Sequence, residues 1–135
     1  MPYSQKNIYK RHPMNTREIG KFCEDEVVEH LIAQGYVIKT RNFRYGRSSE
    51  LDIIATHNGV LHFVEVKARS SIKYGLPREA LSFDKIAKIK RTSELYMNFN
   101  NIYDIELSYD VAEVFFERND KAIEIYSIEL LIGVL

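Results

Sequence analysis

The stretch Ser48–Ser71, SSELDIIATHNGVLHFVEVKARSS, decides how the fold is read. Two apolar runs meet at Asn58-Gly59, a pair that strongly favours a two-residue hairpin loop because both loop positions need positive φ. Closing the hairpin there pairs His57 with Val60 and sets every later pair. On that register Asp52 faces Glu65 and Glu50 faces Lys67. Side chains alternate along a strand, so these four share one face at the end far from the turn. The same face continues as Ile54, Thr56, Leu61 and Phe63. The opposite face carries Leu51, Ile53, Val64 and Val66 and suits burial against a helix.

Directly opposed carboxylates have Cβ atoms about 5 Å apart, and like charges at that separation destabilise a sheet. Partial burial adds desolvation to the repulsion. A divalent cation compensates both. Carboxylates are hard oxygen ligands, suited to Mg²⁺ or Mn²⁺ rather than to zinc. Lys67 is then placed to meet a phosphate, a developing oxyanion or an attacking water. The alternative is a free edge, with Asp52 and Glu65 solvated and Lys67 paired to Glu50. The apolar runs IIA and FVEV weigh against it, since they mark a strand covered on both faces.

Outward from the hairpin, NTREIGKFCEDEVVEHLIAQGY (15–36) carries helix signals. Asn15 or Thr16 serves as cap, Ile19, Phe22, Cys23, Val27 and Leu31 form an apolar face, and Gly35 is the stop. YVIKTRNFRYG (36–46) reads as a strand running into a basic loop. SSIKYGLP (70–77) is loop, and REALSFDKIAKIKRTSELYMNF (78–99) reads as a helix with Leu81, Ile86, Ile89 and Leu95 on its buried side. DIELSYDVAEVFFE (104–117) alternates as a strand, RND (118–120) turns the chain, and KAIEIYSIEL (121–130) is a final strand. Residues 1–14, with Pro13 and no periodicity, are expected to be an irregular arm; residues 15–135 form a single domain. The order α-β-β-β-α-β-β predicts an α/β layered domain with a mixed sheet.

The chain has 135 residues, 45% of them hydrophobic, enough for one core. No apolar run reaches the roughly 18 residues of a membrane span, and the N-terminal MPYSQKNIYKRHPMN has no apolar stretch behind its basic residues, so neither membrane nor signal peptide is expected. The single cysteine, Cys23, permits no internal disulfide or thiolate zinc site and fits a reducing cytoplasm. Net charge is zero, but residues 1–91 hold 17 of 19 Lys/Arg and 10 of 19 Asp/Glu, a basic working region against an acidic remainder. Ordinary solvated charge is the alternative. No Walker A loop or GxGxxG sequence is present, which disfavours nucleotide-cofactor enzymes. His12, His30, His57 and His62 have no ligand spacing and are expected to be structural or exposed.

ELDIIA (50–55) and FVEVKAR (63–69) resemble the signature of the YraN-like uncharacterised protein family. By similarity that family belongs to the PD-(D/E)xK nuclease superfamily, whose restriction-endonuclease-like fold includes archaeal Holliday-junction resolvases. The resemblance runs from about Gly20 to Val111: CEDEVVEHLIAQGY is similar to the family's first helix, TRNFR to a strand end, YGLPREAL with Asp84-Lys85 to the lead into the second helix, and YDVAEV to a later strand. It implies a restriction-endonuclease-like three-layer core. It also implies a site of Asp52, Glu65 and Lys67 with Glu24 from the first helix. Asp52, Glu65 and the Val66 carbonyl would hold a metal, and Glu24 would act through water or complete a second metal's shell. The chain departs from the family pattern at Cys23 and Ser49, where glycine is usual, and at Ser108, where arginine is usual.

Away from the resemblance, Glu24 at the border of the apolar face also reads as a solvated helical glutamate. Glu26 and Glu29 are structural or solvent-facing, and Glu50 is either a third metal carboxylate or the partner of Lys67. Arg41, Arg44 and Arg47 are placed to bind phosphates, with Tyr45 among them to stack on a base. Arg69, Lys73, Lys85, Lys88 and Arg91 extend that surface, though solvation alone accounts for Lys88 and Arg91. The expected function is a Mg²⁺- or Mn²⁺-dependent endonuclease on DNA rather than RNA, with branched or structured DNA the implied substrate. A homodimer is expected by analogy, since cutting two strands needs two sites. The alternative is a non-catalytic nucleic-acid-binding module of the same fold.

Overall fold

The computed structural model describes residues 15–47, 49–70, 81–118 and 122–135, and the backbone of residues 8–11. Eight elements follow in order: β1 (Ile8–Arg11), α1 (Thr16–Ala33), β2 (Val37–Arg44), β3 (Glu50–His57), β4 (Val60–Ser70), α2 (Phe83–Phe99), β5 (Glu106–Arg118) and β6 (Ala122–Leu131). They form one six-stranded sheet of order β1-β6-β5-β4-β3-β2. β4 and β5 run parallel, joined by the crossover that contains α2, and the other neighbours are antiparallel. After β1, helices flank a mixed sheet in the order α-β-β-β-α-β-β, consistent with a restriction-endonuclease-like core.

The Asn58-Gly59 turn forms as the sequence predicts, with φ of 50° and 78°. The register follows from it: His57 pairs with Val60, Ala55 with His62 and Ile53 with Val64. Asn15 caps α1 in a reciprocal box with Glu18, each side chain taking the other's backbone N–H. The predicted apolar face of α1 is buried, and Val28 and His30 join it. It packs on Ile53, Ala55, Val64, Ala112, Val114 and the apolar positions of β6. A second cluster, on α2, joins Ile89 and Tyr96 to Leu51, Ile54, Leu61 and Phe63. The strands between are thus covered on both faces.

Three expectations are corrected. Within the arm, Ile8–Arg11 pairs with β6 as an edge strand, Ile8 opposite Ile125; four residues borrow their order from a neighbour's backbone and leave no pattern of their own. α2 begins at Phe83, because the Ser82 side chain accepts the N–H of Lys85 and caps it there, so Leu81 precedes the helix. Its buried residues are Ile89, Thr92, Ser93 and Tyr96, with Ile86 and Leu95 only half-buried. Thr92 and Ser93 turn hydroxyls to backbone carbonyls one turn back, which lets a polar pair sit at the contact. Residues 71–80, with the expected loop, Lys73 and the first part of the expected second helix, lie outside the described residues. So do His12, Pro13 and most of the RND turn.

Candidate metal centre between β3 and β4

The ladder between β3 and β4 ends at Ile53↔Val64. A two-residue hairpin closes on a hydrogen-bonded pair, and such pairs recur at every second residue. In an unbroken ladder the N–H of Val66 would therefore go to Leu51. It goes instead to Asp52 Oδ2, at 2.8 Å. Leu51 turns into the α2-side cluster with Ile54, while Ile53 lies in the α1-side cluster. Strict alternation would keep Leu51 with Ile53, so the expected face for Leu51 is corrected. The strand breaks step at Asp52, and its carboxylate caps the fork where β3 and β4 part.

Glu65 lies at the same fork. Phe63 faces α2 and Val64 faces α1, so alternation turns Glu65 toward α2. Among the described residues it pairs with Lys85 on the first turn of α2, Nζ 3.9 Å from Oε1. Glu65 is only 6% exposed. Burial, then the neighbouring Asp52 charge, push its carboxyl up to about 8, while Lys85 and Lys67 pull the other way. The next residue but one, Lys67, is half-buried and lies beside Glu113 in the parallel ladder with β5.

Glu24 reaches the fork from α1. Its Oε1 accepts from Arg41 Nη2 at 3.0 Å, Arg41 Nε at 3.3 Å and Asn42 Nδ2 at 3.0 Å. Asn42 takes φ of 53° within β2, which brings its amide inward beside Arg41. Burial raises the Glu24 carboxyl despite the guanidinium, and the Asp52 charge adds to the rise. Arg41 also holds Asp25 Oδ1 at 2.6 Å.

The remaining predicted residues fall around this centre. Glu50 pairs with Arg44 at 3.4 Å across β2 and β3, and not with Lys67. Arg69 donates from Nε to the buried Glu113 at 3.3 Å. Arg47 is exposed in the β2–β3 turn. The cations read as phosphate ligands are thus already engaged: Arg41, Arg44, Arg69 and Lys85 each face a carboxylate. Among the described residues no three His, Cys, Asp or Glu side chains converge closely enough to hold a metal by themselves.

Two buried features escaped the sequence reading. Glu113 carried the same signal as Glu65, a lone carboxylate inside the apolar run VAEVFF. Asp110 is fully buried and accepts from His62 Nδ1 at 2.6 Å, Ser108 Oγ at 2.5 Å and the Gly133 N–H at 2.8 Å. No local pattern announces that pairing, since His62 lies on β4 and Asp110 on β5. The departures from the family pattern also find roles. Ser108 is one of the Asp110 donors, the Ser49 hydroxyl bonds Thr92 of α2, and Cys23 fills the core with its thiol pushed up to about 12, chiefly by burial.

Residues 23–114 match the model of a family described as "Uncharacterised protein family UPF0102". The span contains Glu24, Arg41, Asp52, Glu65, Lys67, Lys85 and Glu113. The chain is 41% identical over 117 residues to a UPF0102 protein of Acetivibrio thermocellus, covering 87% of this chain and 90% of that one. It is 38% identical over 101 residues to one of Dictyoglomus turgidum, covering 75% and 85%. A UPF0102 protein of Caldicellulosiruptor bescii is 39% identical over 113 residues, covering 83% and 94%.

Proposed function

The chain belongs to the uncharacterised protein family UPF0102, and from the fork between β3 and β4 we propose that it is a metal-dependent phosphodiesterase of nucleic acid. Its substrate is DNA in preference to RNA, branched or structured DNA above all, and it acts as an endonuclease. The observation that carries this reading is one buried carboxylate, Glu65, held beside a second, Asp52, with Lys67 next along the same strand face. Two like charges in a half-dry cleft favour a positive occupant.

The donor set fits Mg²⁺ or Mn²⁺. It is all oxygen, and a centre with two carboxylates leaves the remaining positions to water, a backbone carbonyl and substrate phosphate, which is how Mg²⁺ is commonly bound. Asp52, Glu65 and the Val66 carbonyl would hold it. When bound, the ion supplies charge neutralisation at the scissile phosphate and a water of lowered pKa. The Val66 N–H fixes Asp52 Oδ2 and so orients the other oxygen. Lys67 orients the attacking water or stabilises charge on the transition-state phosphorane. Glu24 acts through a water or in the shell of a second ion, and Glu50 is a weaker candidate ligand because Arg44 already occupies it. Arg44 and Arg47 hold flanking phosphates, whereas Arg41, Arg69 and Lys85 chiefly position carboxylates. A homodimer would place two centres on a duplex. Among the described residues no helix is long and apolar enough to cross a membrane, and the buried thiol of Cys23 suits a reducing cytoplasm.

A cleavage panel with Mn²⁺ tests the proposal, using single-stranded, duplex, flap and four-way DNA with Asp52→Ala as control. Cleavage that Asp52→Ala and Glu65→Ala abolish, with DNA affinity largely kept, supports it. Binding without metal-dependent cleavage of any substrate sinks it in favour of a binding module.

A further inference from the structure

From the second half of β2 to the start of β3 the sequence RNFRYGRSS contains three arginines and no acidic residue. Tyr45 in that turn is 52% exposed, and its ring lies 5.8 Å from that of Phe99, which is 60% exposed. Phe99 is the last residue of α2, the helix whose first turn places Lys85 against Glu65. Two large aromatics from separate elements meet in solvent rather than in either core cluster. Neither is part of the proposed metal centre, and burial does not account for them.

Their surroundings point to a ligand. The Tyr45 N–H bonds the Ser49 carbonyl at 3.2 Å, which holds the turn closed over the start of β3. Phe99 lies fourteen residues beyond Lys85 on α2, about 21 Å along the helix at ~1.5 Å per residue. That span is roughly six nucleotides at ~3.4 Å of rise along one strand. Arg44 and Arg47 flank the rings on the turn side. The Arg44–Glu50 pair is largely exposed, so a phosphate can compete for that guanidinium. On the other side the C-terminal carbonyls of α2 carry partial negative charge. A phosphate is disfavoured there; a base, with a π-face and no net charge, is not.

We infer that Tyr45 and Phe99 form a stacking site for an unpaired nucleobase, so that the substrate of the proposed phosphodiesterase has single-stranded character about six nucleotides from the scissile phosphate. This rests on the phosphodiesterase reading for its second half only; the stacking is a binding event that needs no metal. In a duplex each base is stacked on its neighbours and cannot reach the rings without being pulled out.

Fluorescence anisotropy in EDTA tests it with a labelled single strand, a flap and a blunt duplex of the same sequence. The wild type should bind the single strand and the flap more tightly than the duplex. Tyr45→Ala and Phe99→Ala should each weaken that binding by about 5- to 150-fold and erase the preference, while Tyr45→Phe retains it. Arg47→Ala should instead weaken all three DNAs alike and lower the salt slope by about one. Unchanged single-strand affinity in both alanine variants, or equal loss on duplex, overturns the stacking site while leaving the cleavage reading intact. Failure of the wild type to bind any of the three overturns both.

Discussion

Glu65→Gln removes the one charge that the fold most resists burying, and the structure sets the size of the effect. Glu65 is displaced from its ordinary 4.5 to about 8. The folded state therefore holds a proton that the unfolded chain has already released, so stability must fall as pH rises between those values. The penalty is absent below pH 4.5, is on the order of 3 kcal/mol at pH 7, and reaches on the order of 5 kcal/mol above pH 8. Gln has nearly the same shape, donates to Asp52 as the protonated carboxyl does, and never ionises. The variant and the wild type should thus melt together near pH 5. By pH 7 in EDTA the variant should melt higher, by roughly 10 °C for a domain of this size. Differential scanning calorimetry from pH 5 to 8.5 reads the divergence directly. A wild-type melting temperature that stays level over that range, or a variant less stable than wild type at pH 8, would show that Glu65 is not the strained group. Gains of this kind at functional sites come with lost activity, so the same variant should lose any stabilisation by Mn²⁺.

Three further predictions use other parts of the site. Mn²⁺ titrated calorimetrically at pH 7 should displace close to one proton per ion, read as a dependence of the observed heat on the buffer's ionisation enthalpy, and affinity should rise with pH up to about 8 because Glu65 must ionise to bind. Arg41→Ala should cost about 1–2 kcal/mol in urea unfolding, since it strips Glu24 and Asp25 of their shared cation, and Arg41→Lys should recover only part of it because one ammonium cannot reproduce the fork. Asp110→Asn should cost about 3–5 kcal/mol in the same measurement, because an amide NH₂ would meet one of three donors aimed at a fully buried carboxylate, and it should leave metal binding at the fork unaffected.

The parts of the molecule legible in the sequence are those set by short range. Asn58-Gly59 carries the turn in its own φ preference, and the pairing down to Ile53↔Val64 follows by counting. The same counting brings Asp52 and Glu65 together, although the partners meet through a break in the strand rather than across an intact ladder. The buried face of α1 is written at helical spacing. What the sequence hides is decided by distant partners. Ile8–Arg11 becomes a strand only because β6 offers it an edge. Leu81 looks like a helix position until Ser82 caps the helix after it. Arg41 looks like a phosphate ligand until α1 presents Glu24 and Asp25 to it, seventeen and sixteen residues away in the chain. Glu113 was within reach, since a carboxylate inside VAEVFF poses the same question as one inside FVEV.

The distribution of charge around the fork explains why a cation would settle there and not elsewhere on the sheet. Glu24 and Asp25 share Arg41, Glu50 has Arg44, and Glu113 has Arg69, each within 3.4 Å. Among the described residues Glu65 pairs with Lys85 at 3.9 Å, longer than any of those, and Asp52 joins no ion pair. Every neighbouring carboxylate is therefore closer to neutral balance than these two, and the deficit of positive charge is local to their fork. Coulomb energy between close charges in a half-buried site runs to several kcal/mol at an effective dielectric near 20, so the deficit is large on the scale of protein stability. A proton on Glu65 meets it partly and only at the lower pH values; a divalent ion would meet it more fully and, on the proposed reading, leave Lys67 to face the substrate. The arginines that hem in the fork would then have a second consequence: by satisfying the outer carboxylates they would keep those groups from competing for an ion, and would confine the proposed chemistry to Asp52 and Glu65.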